Sequence, residues 1–219
     1  MSNFRRRLMM TLNKKENFDD FQEVEYIEST GTQYIDTGYC PNPSTTKVET
    51  TFILTNNTVT TQGLLGSRNQ NTLSNGSCNI FFNVNQNNLR LDWVAKQSHV
   101  KININEEITL ICINNEVTVI QNDISTIYTG TAKKLNVEIP YSIYIGNFNN
   151  VGNAYRTAGY AKWKTFKIYD ENDNLMMDMI PVLDENNIAC MYDKVNKKFY
   201  YNSGTGEFLY KEKEINSVS

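Results

Sequence analysis

From residue 23 onward apolar and polar side chains alternate one by one, and a period of two leaves few folds open to the chain. Val48, Thr50, Phe52 and Leu54 alternate with Lys47, Glu49 and Thr51. Cys78, Ile80, Phe82 and Val84 alternate with Asn79, Asn83 and Asn85, while Leu89, Leu91 and Trp93 alternate with Arg90 and Asp92. Neighbouring side chains of a strand point to opposite faces, so each stretch reads as an antiparallel strand with one face on a core and one in water. Ile108 to Ile113 is an apolar run that fits a central strand, and Asn114-Asn115 followed by Glu116-Val117-Thr118-Val119 signals a tight turn into the next. Further strands are expected over Ser142 to Gly146, Ala161 to Tyr169, Leu175 to Val182, Ala189 to Tyr192 and Lys198 to Tyr201. Turn residues recur every eight to twelve positions, and no helical stripe follows residue 22. The expected class is all-β: two antiparallel sheets packed as one β-sandwich over residues 23–210.

The 219 residues suffice for one large sandwich, which buries roughly 70% of the unfolded chain's surface at this size. The 13 Tyr and 10 Phe supply the aromatic area that a pleated, half-buried surface favours. A formal net charge of -3 offers no field to attract nucleic acid or an anionic membrane, and no apolar run reaches the ~18 residues of a membrane helix. Arg5, Arg6 and Arg7 precede Leu8-Met9-Met10-Thr11-Leu12 as in a signal peptide. That apolar stretch is shorter than an export signal's core of about 7–15 residues, and Asn13-Lys14-Lys15 follows it. A start in the cytoplasm is expected. Cys40, Cys78, Cys112 and Cys190 lack the close spacing of a zinc or redox pair and read as free thiols.

Residues 1–22 stand apart as an N-terminal arm, and residues 211–219 form a charged, then polar tail expected to fray. Phe4, Leu8, Met9 and Leu12 share a helical face of two turns. A helix that short orders only against a partner surface, so the arm is either disordered or a docking segment carried by Phe4, Arg5, Arg6, Arg7, Leu8, Met9 and Met10.

Catalytic chemistry is hard to place. The single histidine, His99, can supply neither a typical zinc site nor, without a nucleophile elbow, a triad. Glu23, Glu25 and Glu28 cluster as a glycosidase acid pair would, but they open the first strand without aromatic context and read as a solvated face. Asp170-Glu171-Asn172-Asp173-Asn174 begins like a calcium loop, yet Leu175 stands where such a loop has Gly, so a hairpin turn is expected. No catalytic residue, cofactor or metal ligand is assigned. The Asn-rich segment 69–75 and the loop Asn147 to Arg156 are either ordinary loops or glycan-facing ones, with Arg68, Asn147, Phe148, Tyr155 and Arg156 as the contacts.

Three stretches are more specific. The first is Glu25-Tyr26-Ile27-Glu28-Ser29-Thr30-Gly31-Thr32-Gln33-Tyr34-Ile35-Asp36-Thr37-Gly38, and the second is Trp163 to Asp170. The third runs from Pro181-Val182-Leu183-Asp184 through Met191-Tyr192-Asp193-Lys194-Val195 to Lys198-Phe199-Tyr200-Tyr201-Asn202-Ser203-Gly204-Thr205-Gly206-Glu207-Phe208. Together they resemble a family of concanavalin A-like, laminin G-like jelly-roll domains common in virion proteins of tailed phages and prophages of gut bacteria, in order over residues 23–209. The arm's Phe4 to Met10 is similar to the opening of structural proteins of crAss-like phages. The resemblance implies a jelly roll whose first and last strands pair, with Tyr26, Tyr34, Tyr192, Phe199 and Tyr201 in one aromatic layer. It supplies no catalytic residues. It implies a non-enzymatic virion subunit, a head or tail fibre or decoration protein, assembled in the bacterial host cytoplasm. Its partners would be other virion proteins through the arm, further copies of itself, and host-surface glycans. The alternative is a free-standing, lectin-like carbohydrate-binding module.

Overall fold

The computed structural model describes residues 21–57, 61–69, 77–83, 87–93, 98–130 and 138–214. The docking arm, Phe4 to Met10, lies outside them, as does most of the Asn-rich segment 69–75. Among the described residues all regular structure is strand, in two sheets.

The larger sheet holds β1 (Gln22–Thr30), β3 (Lys47–Leu54), β8 (Glu107–Ile113), β9 (Glu116–Gln121), β10 (Ile124–Thr129), β14 (Tyr160–Tyr169), β15 (Leu175–Leu183), β16 (Ala189–Asp193), β17 (Lys198–Tyr200) and β18 (Leu209–Glu212). The smaller sheet holds β2 (Ile35–Asp36), β4 (Gln62–Arg68), β5 (Ser77–Asn83), β6 (Asn88–Leu91), β7 (Ser98–Lys101), β11 (Tyr144–Ile145), β12 (Asn149–Asn150) and β13 (Asn153–Ala154). The first runs β10-β9-β8-β3-β14-β1-β15-β16-β17, with β18 on β1; the second runs β13-β12-β4-β5-β6-β7, with β11 on β4 and β2 on β11. Every named pairing is antiparallel except β12 on β4, where Asn149 opposes Ser67. The chain is a β-sandwich.

The alternation does what it foretells. Val48, Phe52 and Leu54 of β3 face Cys78, Ile80 and Phe82 of β5 across one buried cluster, with Trp163 of β14 packed 5.0 Å from Phe52. The Trp163 indole N–H donates to Ser29 Oγ at 3.1 Å, and that hydroxyl donates to Gly159 O at 2.6 Å, so the polar edge of a wholly buried ring has a partner. The run Ile108 to Ile113 forms β8, which lies inside the larger sheet between β9 and β3 as a central strand should; Ile108, Leu110 and Cys112 are buried, and Ile113 is exposed on the outer face. One expectation is corrected. Lys211 and Lys213, read as part of a frayed tail, instead sit beside β1: Lys211 bonds Glu25 at 2.7 Å and Lys213 bonds Glu23. At the other end Phe21 packs on Tyr192 at 4.4 Å, so the sandwich reaches back past residue 23.

The first and last motifs clasp each other. Ser203 N donates to Tyr34 O at 2.7 Å, Thr32 Oγ1 donates to Thr205 O at 2.9 Å, and Gln33 Nε2 donates to Glu207 O at 2.9 Å. β18 then pairs with β1, Ile27 opposite Tyr210. The single aromatic layer does not form. Tyr192, Phe199 and Tyr201 do adjoin in sequence, at 5.0 and 6.3 Å, but Tyr34 stacks on Tyr144 at 4.8 Å and Tyr26 lies under Lys162. The cause is the clasp, which turns Tyr34 toward β11 instead.

Candidate functional site

Two surfaces collect aromatic and polar side chains. The first lies on the outer face of the smaller sheet. Cys78, Ile80 and Phe82 point into the core, so Phe81 between them points out. It is nonetheless buried, because Phe148 and Tyr155 cover it at 4.5 and 5.4 Å while stacking on each other at 4.6 Å. Arg68 lies 5.0 Å over Phe148 and donates through Nε to Asn150 Oδ1 at 2.7 Å; Arg90 lies 5.2 Å over Phe81 and pairs with Asp92 at 2.8 Å. Burial lowers the Arg68 pKa, which the Asp92 charge opposes. The structure therefore brings Arg68, Asn147, Phe148 and Tyr155 together, as the sequence expectation has them, but turns two of them inward. Phe148 is fully buried, and Asn147 spends its amide on Tyr155 O and Phe148 N at 3.1 and 2.8 Å. A ligand here meets half-buried Arg68 and Tyr155 and exposed Arg156.

The second surface is a groove of about 590 Å³ beside the clasp. One wall is the turn after β15. Asp184 accepts the N–H groups of Asn186 and Ile188 at 2.9 and 2.8 Å and the Tyr201 hydroxyl at 3.0 Å, which arches the turn and leaves Ile188 exposed. The other wall is the Gly-rich loop, where Asn202 accepts from Tyr34 N and Gly204 N and donates to Gly206 O at 3.1, 2.8 and 2.7 Å. All of its amide belongs to the fold. Tyr201 and Tyr210 line the groove at 45% and 44% exposure over the buried ring of Phe208. Asn187 and Glu207 also line it. Exposed aromatic residues beside polar and acidic ones suit a polar ligand with apolar C–H faces. The sequence reading places Tyr201 in an aromatic layer, not at a binding surface, and does not single out Tyr210. The available signal was Tyr201 and Tyr210 on either side of a glycine turn.

The acidic candidates are occupied elsewhere. Glu25 is held below the usual carboxylate range first by its hydrogen bond to Lys211. Asp170 accepts Asn172 N and Asn174 N at 2.8 and 2.9 Å and so builds the β14–β15 hairpin turn. His99 is exposed on β7, with Nδ1 3.2 Å from Asn88 Oδ1.

No family model matches the chain, and no curated protein matches it either. Among solved structures, a candidate carbohydrate-binding protein from Bacteroides ovatus superposes with a TM-score of 0.55 at 10% identity, over 87% of this chain and 60% of that one. A sialidase from Trypanosoma rangeli overlaps more loosely, with a TM-score of 0.41 at 12% identity, over 67% of this chain and 26% of that one. The chain thus spans less than two thirds of the Bacteroides protein, and what the two share is the β-sandwich fold.

Proposed function

We propose that the chain is a non-catalytic glycan-binding sandwich of a bacteriophage virion, a fibre or decoration subunit attached to the particle through the arm ahead of Phe21. The observation that carries the glycan reading is the groove beside the clasp, with Tyr201 and Tyr210 as stacking faces and Asn187 and Glu207 as hydrogen-bonding groups. The name of the Bacteroides neighbour agrees with it. The ion pairing of Glu23 and Glu25 supports binding without cleavage. The resemblance of the two end motifs to virion domains supports the particle, where the chain would be assembled in the host cytoplasm.

A glycan array followed by saturation-transfer NMR on the full-length protein tests the site. Tyr210→Ala is expected to weaken binding by about two- to tenfold, the worth of one stacked ring, while Tyr155→Ala leaves it unchanged. The reverse pattern moves the site to the Arg68 surface, and absence of any glycan at millimolar concentration removes the reading. Co-sedimentation with purified virions, comparing full-length protein with a chain starting at Phe21, separates the virion subunit from a free-standing lectin: only the full-length protein should pellet.

A further inference from the structure

A sheet edge is a row of unpaired main-chain groups, and proteins usually keep such edges short, charged or covered. Three edges here follow that practice. β17 is three residues long and begins with Lys198, β13 is two residues long, and β7 carries His99 and Lys101. β10 does not. It is six residues long, Ile-Ser-Thr-Ile-Tyr-Thr, with no charge and no proline, and it stands at the end of the larger sheet. Ile124 and Ile127 are 68% and 60% exposed.

The turn fixes which groups are unpaired. Asn122 and Asp123 have φ of 53° and 61°, a two-residue hairpin in which Gln121 and Ile124 exchange hydrogen bonds. The same register continues to Gly130 N, which donates to Asn115 O at 2.7 Å. Ile124, Thr126 and Tyr128 therefore bond toward β9. Ser125, Ile127 and Thr129 turn their N–H and C=O groups to the other side, where no described strand lies.

We propose that β10 pairs antiparallel with β10 of a second copy of the chain about a two-fold axis through Ile127, so that the larger sheet runs on from one subunit into the next. In a sheet continued this way, paired residues must lie on the same face. Placing Ile127 opposite Ile127, and Ser125 opposite Thr129, meets that condition and uses every outward group, forming about six main-chain hydrogen bonds. Sliding the strands so that Ser125 opposes Ile127 leaves Thr129 unused. The strand is its own complement: it brings no like charges together, pairs the exposed Ile127 with its symmetry mate, and sets Thr126 across from Tyr128. A charged partner would find nothing on this edge to answer it. The pairing stands whether or not the groove by the clasp holds a glycan.

Sedimentation velocity on the full-length protein, from micromolar to hundreds of micromolar, should show a concentration-dependent dimer. Ile127→Lys sets two ammonium groups face to face across the axis and should weaken self-association by about 100-fold. Being an exposed change, it should leave thermal unfolding of the monomer nearly unmoved. Ile127→Cys gives a position that meets itself at about 5.5 Å between Cα atoms, inside the range a disulfide spans. It should cross-link under mild oxidation, whereas Ser125→Cys and the unaltered protein should not. A monomer at the highest concentration overturns the proposal, as does a dimer that tolerates Ile127→Lys. Cross-linking at Ser125→Cys in place of Ile127→Cys overturns the register.

Discussion

Tyr201 has two duties that pull in different directions. Its hydroxyl tethers the turn after β15 through Asp184, while nearly half of its surface stays exposed in the groove. Burial, then the hydrogen bond to Asp184, push the phenol from 10.0 to about 12. Burial works against the Asp184 carboxylate too, but the Ile188 and Asn186 N–H groups and the Tyr201 hydroxyl hold it below its ordinary value. Because the folded phenol is the weaker acid, its contribution to stability is complete below pH 10 and is lost as the pH climbs from about 10 to about 12. Thermal unfolding midpoints taken across that window should fall for the wild type. They should fall less for Tyr201→Phe, which has no proton to release there. Equal slopes would show that the tether does not couple to folding.

Among the elements, β4 is the one on which the smaller sheet turns, since it carries β5, β11 and β12. Gly66, at φ 111°, lies against β5 so closely that an added Cβ would fall 1.7 Å from Cys78 O. Gly66→Ala should therefore cost about 3 kcal/mol or more, from backbone strain and overpacking together, measured as a lowered urea midpoint. The same glycine explains what the sequence conceals. Strands such as β3 and β14 are legible because one side chain in two is apolar, whereas Gly63 and Gly66 break the pattern of β4 and hide a strand buried on both faces. β10 hides for the opposite reason: it is exposed on both sides, so no alternation marks it. At the groove, the Gly-rich turn was readable as a turn. Its neighbour across the groove is not, because Ile188, in the turn before β16, and Tyr201, just after β17, are brought together by the β16–β17 pairing and by the Asp184 tether, and no local sequence pattern announces either.

Taken whole, the molecule keeps its thiols out of reach. Cys78, Cys112 and Cys190 are buried and Cys40 is half-buried, none in a disulfide; burial also raises the Cys190 thiol to about 12 and the Cys112 thiol further. Ellman's reagent should titrate no more than one thiol in the native protein, Cys40, and four after denaturation. Three fast-reacting thiols would mean that the two sheets part readily. The clasp has a different consequence, which concerns time. Tyr34 waits for Asn202, 168 residues downstream, and Thr32 for Thr205, 173 downstream. At about 5–20 residues per second, a ribosome takes roughly 8–34 s to make that span. Until β14 is made both flanks of β1 are bare, after it one flank still waits for β18, and the fold closes only when that last strand comes free.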